Sequence, residues 1–294
     1  MAEPLVVSDR LLRRAERLSL RLRRPGRGMT TGEHRGRGQT SSIELSDHRA
    51  YAPGDDFRRV DWNAVARLDT FNVKLSDAQQ NLTLHVLIDR SASMEFGTPS
   101  KSRLSEQIAA CLAYIALAQL DAVRVYGVSG TRLAGSPRYW GKGQSSDALR
   151  QVQSLGAGST TDLAAALSAF TAGHPETGML VLLSDLLSPT ELRSGLRQVT
   201  AAGFEVVILH ILSPAELHPS LAGNFELVDA ETGARRRIAA TPAALDAYQR
   251  NLTAWRAAIV EDCRAANARY VPLTSDQPID RVLLSDLRRH GLVE

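Results

Sequence analysis

The sequence predicts a doubly wound α/β fold, a mostly parallel sheet with helices on both faces, and three observations carry that expectation. Short branched apolar runs alternate with longer runs of helical periodicity from about residue 82 to the end. Two of the runs, Leu84 to Ile88 and Met179 to Leu183, are almost continuously apolar, as strands buried on both faces of a parallel sheet are. Each ends at a carboxylate, Asp89 or Asp185, where a strand leaves its sheet and where open α/β sheets place their ligands.

Taken in order, residues 8 to 24 place Leu11, Ala15, Leu18 and Leu22 at i, i+4, i+7 and i+11 among seven arginines, which predicts an amphipathic basic helix capped by Ser8 or Asp9. Its arginine face suits solvent, an acidic partner or an anionic membrane surface. Pro25 to Gly38 reads as a Gly- and Arg-rich linker, and its glycines follow no strand, so a phosphate-cradling loop is not expected. Residues 1–38 thus form a basic arm, 39–80 a segment with short strands such as Thr70 to Leu75, and 81–294 the α/β domain. In the middle segment Asp55, Asp56 and Asp61 lie beside Arg58 and Arg59, either as a cation site or, more commonly for such a cluster, as ion pairs.

After the central strand, Arg103 to Leu120 reads as a core-facing helix capped by Ser102, and Val123 to Val128 as the next strand. Arg132 to Tyr139 returns as a short strand around Gly130, Ser145 to Leu155 is helical, and Gly156 to Asp162 is a flexible loop leading into a helix through Leu163, Leu167 and Phe170. Ser188-Pro189-Thr190-Glu191 reads as a capping box opening a helix beyond the Met179 strand. A strand at Phe204 to Ile211, a hairpin around Glu231-Thr232-Gly233, a helix from Thr241-Pro242 to about Ala268, a strand at Arg269 to Leu273 and a helix from Ile279 stopped by Gly291 complete the chain.

Composition bounds the function classes. At 294 residues, 44% hydrophobic and 23% charged, the chain is ordinary globular material. The net charge of +3 is uneven, because residues 1–38 hold ten arginines against four acids and the remainder is net negative. No window reaches the roughly 20 apolar residues of a membrane span, and no signal-peptide core is seen at the N-terminus, so a cytoplasmic protein is expected, peripheral at the membrane if the arm makes that contact. Cys111 and Cys263 sit in apolar-periodic segments and read as buried thiols. Gly-x-Ser-x-Gly is absent and none of the seven histidines stands in a nucleophile-elbow context.

Asp89-x-Ser91-x-Ser93, Thr161 (with Thr160 adjacent) and Asp185 gather hard oxygen donors at one sheet edge. Small cations such as Mg²⁺ favour such ligands and keep several waters. These residues resemble the metal-ion-dependent adhesion site of von Willebrand factor A-type domains. That resemblance implies a divalent cation, Mg²⁺ foremost with Mn²⁺ or Ca²⁺ as alternatives, whose open position takes an acidic residue of a protein partner. The upstream pattern Tyr51-x-x-Gly54-Asp55-Asp56-x-Arg58-x-x-Asp61-Trp62, with Arg67, followed about twenty residues later by Asp89-x-Ser91-x-Ser93-Met94, resembles the bacterial domain-of-unknown-function family numbered 58. The resemblance implies a non-catalytic interaction module working with a MoxR-type AAA+ ATPase or its client in complex assembly or maturation. Two alternatives stand beside it: a metal-dependent phosphotransferase or phosphatase using Asp89 as nucleophile, although Ser91 occupies the place of the required general acid, and a membrane- or nucleic-acid-associated protein acting through its basic arm.

Overall fold

The computed structural model describes residues 7–23, 48–50, 65, 72–74, 82–158, 160–173, 177–188, 190–221 and 223–294. The chain forms two compact units, one of residues 1–26 with 82–294 and one of residues 27–81. In the smaller unit, β1 (His48–Ala50) pairs antiparallel with β2 (Asn72–Lys74), inside the stretch read as strand from the sequence. The acidic cluster Asp55, Asp56 and Asp61 and the signature positions Tyr51, Gly54, Arg58, Trp62 and Arg67 lie outside the described residues.

The larger unit is the doubly wound α/β fold. Its sheet runs β11 (Arg269–Thr274), β8 (Glu205–Leu212), β7 (Met179–Ser184), β3 (Thr83–Asp89), β4 (Ala122–Ser129) and β5 (Arg132–Gly135), with β6 (Tyr139–Trp140) also on β4. The first five are mutually parallel, and β5 and β6 close the edge antiparallel to β4. β3 and β7 are buried along their whole length, which accounts for their unbroken apolar runs.

The order of the strands positions the site. The chain goes from β3 to β4 on one side, then returns to β7 on the other side of β3 and continues outward. The carboxyl ends of β3 and β7 therefore form the topological switch point, where a crevice opens because the flanking connections leave in opposite directions.

Alternation along the strands sends side chains to two helical layers. Leu87, Leu180, Leu182, Val206 and Ile208 pack under α4 (Leu163–Gly173), α5 (Leu192–Ala201) and α7 (Pro242–Ala265) through Leu167, Phe170, Leu196, Val199, Ile259 and Cys263. Helix α2 (Lys101–Ala118) packs on β3 and β4 and carries α1 (Asp9–Ala15) against it. Its cap is Ser100, whose hydroxyl accepts from the Arg103 amide, while Ser102, the residue expected to cap it, is buried inside the helix. The remaining α3 (Ser145–Ser154), α6 (Pro214–Leu217), hairpin β9 (Gly223–Val228) and β10 (Arg235–Ala240), and α8 (Ile279–Arg281) joined to α9 (Leu287–Arg289) through a π turn fall where the sequence puts helix and hairpin, except that α6 was not foreseen. Cys111 and Cys263 are buried thiols with no disulfide. No helix among the described residues is long and apolar enough to cross a membrane.

Two further local expectations fail, each for a tertiary reason. The N-terminal helix stops at Ala15, and the chain continues extended, with Leu20 bridged to Val293 and the Arg21 amide donating to the Leu292 carbonyl. Leu18 and Leu20 are both buried, so the same leucines satisfy a period of two once the C-terminus supplies a partner strand. The capping box expected at Ser188 does not form: α5 begins at Leu192, because Ser188 and Thr190 are drawn into the loop that carries Thr161. The capping box that does form, Ser213 with Glu216 and Pro214 at the first position, opens α6.

Candidate functional site

The end of β3 builds the site. The Asp89 carboxylate is only 2% exposed, yet both of its oxygens are satisfied. Oδ1 accepts from the Ser91 amide at 2.9 Å and from the Thr161 hydroxyl at 2.7 Å, and Oδ2 accepts from the Ser184 hydroxyl at 2.6 Å. Ser91 and Ser93 stand on either side of Ala92 with their hydroxyl oxygens 3.0 Å apart. Burial, and then the like charge of Asp185, push the Asp89 carboxyl upward, and the three hydrogen bonds pull it back.

Thr161 reaches Asp89 because its loop is stitched to the sheet. The Gly130 amide donates to the Thr160 carbonyl, the Asp162 amide donates to the Gly130 carbonyl, and the Gly158 amide donates to the Arg90 carbonyl. A Cβ on Gly158 would stand 2.2 Å from Ser129 Oγ and 3.1 Å from the Arg90 carbonyl, so the close approach requires glycine. Asp162 then starts α4, accepting from the Ala165 amide and the Thr190 hydroxyl. Thr160, the adjacent alternative, is exposed, and Thr161, the threonine preferred from the sequence, is the one that reaches Asp89.

Asp185 is also at the crevice, but it is engaged differently. Its Oδ2 accepts from Lys101 Nζ at 2.7 Å and its Oδ1 from the Leu187 amide at 3.1 Å. Lys101 is wholly buried in the first turn of α2 and also donates to Glu216 at 2.5 Å. His210 donates from Nε2 to the Asp185 carbonyl at 3.0 Å and accepts at Nδ1 from the Tyr270 hydroxyl at 2.7 Å, and burial holds it neutral, its pKa lowered to about 4.

Sequence reasoning missed Lys101, Ser184, Glu216 and Glu231. Glu216 is marked by the Ser-Pro-x-Glu pattern of a capping box, and Lys101 by a lysine opening an apolar helix in a chain with three lysines. Glu231, in the turn of the β9–β10 hairpin, is half-buried, and burial raises its carboxyl while the Ser93 hydroxyl lowers it.

The donors at the crevice are hydroxyls and carboxylates, the hard oxygens that suit a small divalent cation. A hydroxyl that donates its hydrogen to Asp89 keeps lone pairs for a cation, so the network is compatible with both states. Among the described residues no three His, Cys, Asp or Glu side chains converge as a metal-ligating group, so a cation at Asp89 depends on hydroxyl and water ligands. Around this polar centre lies an apolar rim. Phe96, 51% exposed, has its ring centroid 5.9 Å from Lys101 Nζ, and Leu187, 47% exposed, follows Asp185 by two residues.

Among solved structures, the chain is similar to an aerotolerance-related membrane protein from Bacteroides fragilis (12% identity, TM-score 0.46, 72% of this chain and 99% of that one). It is also similar to the conserved hypothetical protein BatB from Bacteroides thetaiotaomicron (12%, 0.43, 72% and 99%) and to a von Willebrand factor type A protein from Catenulispora acidiphila (17%, 0.32, 45% and 34%). Among curated sequences, the uncharacterized protein Rv1480 of Mycobacterium tuberculosis is 31% identical over 274 residues, 90% of this chain and 85% of that protein. The uncharacterized protein MAV169 of Mycobacterium avium is 30% identical over 132 residues, 44% of this chain and 78% of that protein. The model of the family described as protein of unknown function DUF58 matches residues 47–258, and with the crevice at Asp89 inside the matched span, this chain belongs to the DUF58 family.

Proposed function

We propose that this chain is a divalent-cation-dependent protein-interaction module, with the cation held over Asp89, Ser91, Ser93 and Thr161 and reached by Asp185 through water. The observation that carries this reading is a buried, hydroxyl-rich oxygen cluster at the switch point of the sheet, rimmed by exposed Phe96 and Leu187. Exposed apolar side chains beside such a cluster offer surface that a protein partner can cover. Bound Mg²⁺, or Mn²⁺ or Ca²⁺ in its place, supplies a Lewis-acidic position that an acidic side chain completes. Ser91 and Ser93 supply paired hydroxyl oxygens, Thr161 and Ser184 hold the Asp89 carboxylate in place, and Lys101 neutralises Asp185 so that it acts at a distance. The partner proposed from the family resemblance is a MoxR-type AAA+ ATPase or its client in the cytoplasm, and co-purification with and without EDTA tests it.

Two competing readings lose support. Nucleophilic attack by Asp89 requires an accessible oxygen, and both of its oxygens are buried and occupied. Insertion of the arm into a membrane requires an apolar face, and Leu11, Ala15, Leu18 and Leu20 are packed into the domain, leaving the exposed arginines Arg10, Arg13, Arg14 and Arg17 for an acidic surface.

Calorimetric titration of dialysed protein with Mg²⁺ or Mn²⁺ is expected to show one site that Asp89→Ala abolishes. Indifference of the wild-type protein to both ions would overturn the proposal.

A further inference from the structure

The N-terminal arm sorts its side chains completely. Leu11, Ala15, Leu18 and Leu20 are buried against the domain, and every exposed residue from 10 to 23 is an arginine: Arg10, Arg13, Arg14, Arg17, Arg21 and Arg23. Arg14 reaches Asp280 at 3.3 Å and Arg21 stands 3.9 Å from Glu294, whereas Arg10, Arg13 and Arg17 meet no carboxylate among the described residues. Glu16, the acid of this stretch, is turned aside to Lys142 at 2.5 Å. Between Arg10, Arg13, Arg14 and Arg17 the surface opens into a cavity of about 400 Å³. Like charges so close repel, so the face is held by the packing beneath it and not by its own charges. Its place in the fold is also fixed. Helix α2 begins at the crevice with Lys101 and ends about 25 Å away, where Gln119 donates to the Glu16 and Leu18 carbonyls at 3.5 and 3.3 Å. Beyond that point the Arg23 amide donates to Glu205 at 2.8 Å, and the Arg269 guanidinium donates to the Arg21 carbonyl at 2.9 Å. Glu205 and Arg269 open β8 and β11, so the arm ends at the amino ends of the strands, whereas Asp89 lies at the carboxyl end of β3.

We propose that this face is a docking surface for the anionic phospholipid headgroups of a membrane: it holds the protein to the bilayer surface by charge, without insertion, and leaves the crevice facing away. The chemistry of the occupant follows from what the face lacks. A protein interface is built on buried aromatic or apolar anchors, and here the exposed side chains are guanidinium throughout. Single-stranded nucleic acid is held on aromatic platforms, and residues 1–50 contain no Phe, Tyr or Trp. Duplex DNA is read by an element that enters a groove, and α1 is 7 residues long with its opposite face sealed on the domain. A bilayer surface requires none of these features. It is a field of phosphates and carboxylates that attracts each basic residue separately, strengthening partition about fivefold for each one. The inference involves no cation and stands apart from the reading of the Asp89 crevice.

Co-sedimentation of the full chain with phosphatidylcholine vesicles, plain or carrying about one-third phosphatidylserine, is the measurement. The wild type is expected to partition onto the anionic vesicles only and to come off as salt is raised. Arg10→Gln/Arg13→Gln/Arg17→Gln changes exposed side chains without acid partners, so its melting temperature should match the wild type while partition falls about a hundredfold. Arg10→Lys/Arg13→Lys/Arg17→Lys keeps the charge and should keep the binding. Orientation is read separately. With Cys111 and Cys263 buried, a dye can be attached at Gly143→Cys, next to the Lys142 that holds Glu16, or at Leu187→Cys on the crevice rim. Nitroxide-labelled headgroups should quench the first and not the second. Equal partition of the wild type and the glutamine variant, a lysine variant as weak as the glutamine one, or quenching at Leu187→Cys as strong as at Gly143→Cys would overturn the inference. Arginine-dependent binding of a DNA duplex in salt that strips the protein from vesicles would overturn it in favour of nucleic acid.

Discussion

Lys101 is the residue whose replacement should most change the stability of the crevice. Its side chain is entirely buried, its ammonium lies 2.7 Å from Asp185 and 2.5 Å from Glu216, and those side chains are themselves 1% and 16% exposed. Lys101→Met keeps the length and apolar stem, so no large cavity opens, and the effect is that of removing one charge from a buried set. Breaking a buried ion pair from one side costs about 3–5 kcal/mol, because the abandoned charge stays desolvated. Here the damage is partly shared out. Asp185 retains the Leu187 amide, and Glu216 retains the Ser213 amide at 2.6 Å and stands nearer to solvent, so a value of about 3–4 kcal/mol is expected. Against a total stability of about 5–15 kcal/mol this is a large fraction, and for a domain of this size it lowers Tm by about 10 °C. Urea unfolding followed by circular dichroism measures it, and the double variant Lys101→Met/Asp185→Asn should recover more than half of the loss, since the stranded charge is then gone. A loss below about 1 kcal/mol for the single variant would refute the reasoning, because it would mean that Asp185 and Glu216 do not depend on the ammonium.

Two further outcomes follow from the same geometry. Gly158→Ala must push the loop off Ser129 and the Arg90 carbonyl, so Thr161 loses its place on Asp89; stability should drop by about 1–3 kcal/mol, as overpacking does, and cation affinity should fall with it, whereas wild-type values in both measurements would show that the close approach is dispensable. His210 is neutral in the fold, its pKa lowered to about 4 from an ordinary 6.5 by burial, so the unfolded chain binds the extra proton between those values. Its contribution is complete above about pH 6.5 and is lost as pH falls toward 4. Between pH 6.5 and 5 the wild type should lose about 1.5 kcal/mol that His210→Gln does not, and a flat wild-type profile over that window would contradict the assignment.

The parts of the site legible in the sequence were those set by local chemistry. A strand buried on both faces leaves a continuous apolar run, so β3 and β7 are legible in the sequence, and a carboxylate at the end of such a run falls where the strand leaves its sheet, as Asp89 and Asp185 do. Ser91 and Ser93 came with Asp89 because they follow it directly. Thr161 is favoured over Thr160 by its place nearest the helix start, and the stitching of its loop onto Gly130 is what carries its hydroxyl to Asp89. Boundaries were less legible wherever a residue had two possible partners. Ser188 and Thr190 looked like a helix cap and became ties to the Thr161 loop, and Leu18 and Leu20 fitted a helix until the C-terminal segment offered them a strand.

The sequence by itself determined the class of fold, the two buried strands and the oxygen-rich character of their tips, because periodicity and strand-terminal chemistry are properties of neighbouring residues. Only the tertiary structure decided that Asp185 is held by a lysine 84 positions earlier, and that Glu216 comes to share that lysine. Those pairings are made by the winding of the sheet, which brings the ends of β3 and β7 side by side and folds later elements over them. A charge does not record in sequence which distant partner it will meet, and at a buried crevice that partner sets what the charge can do.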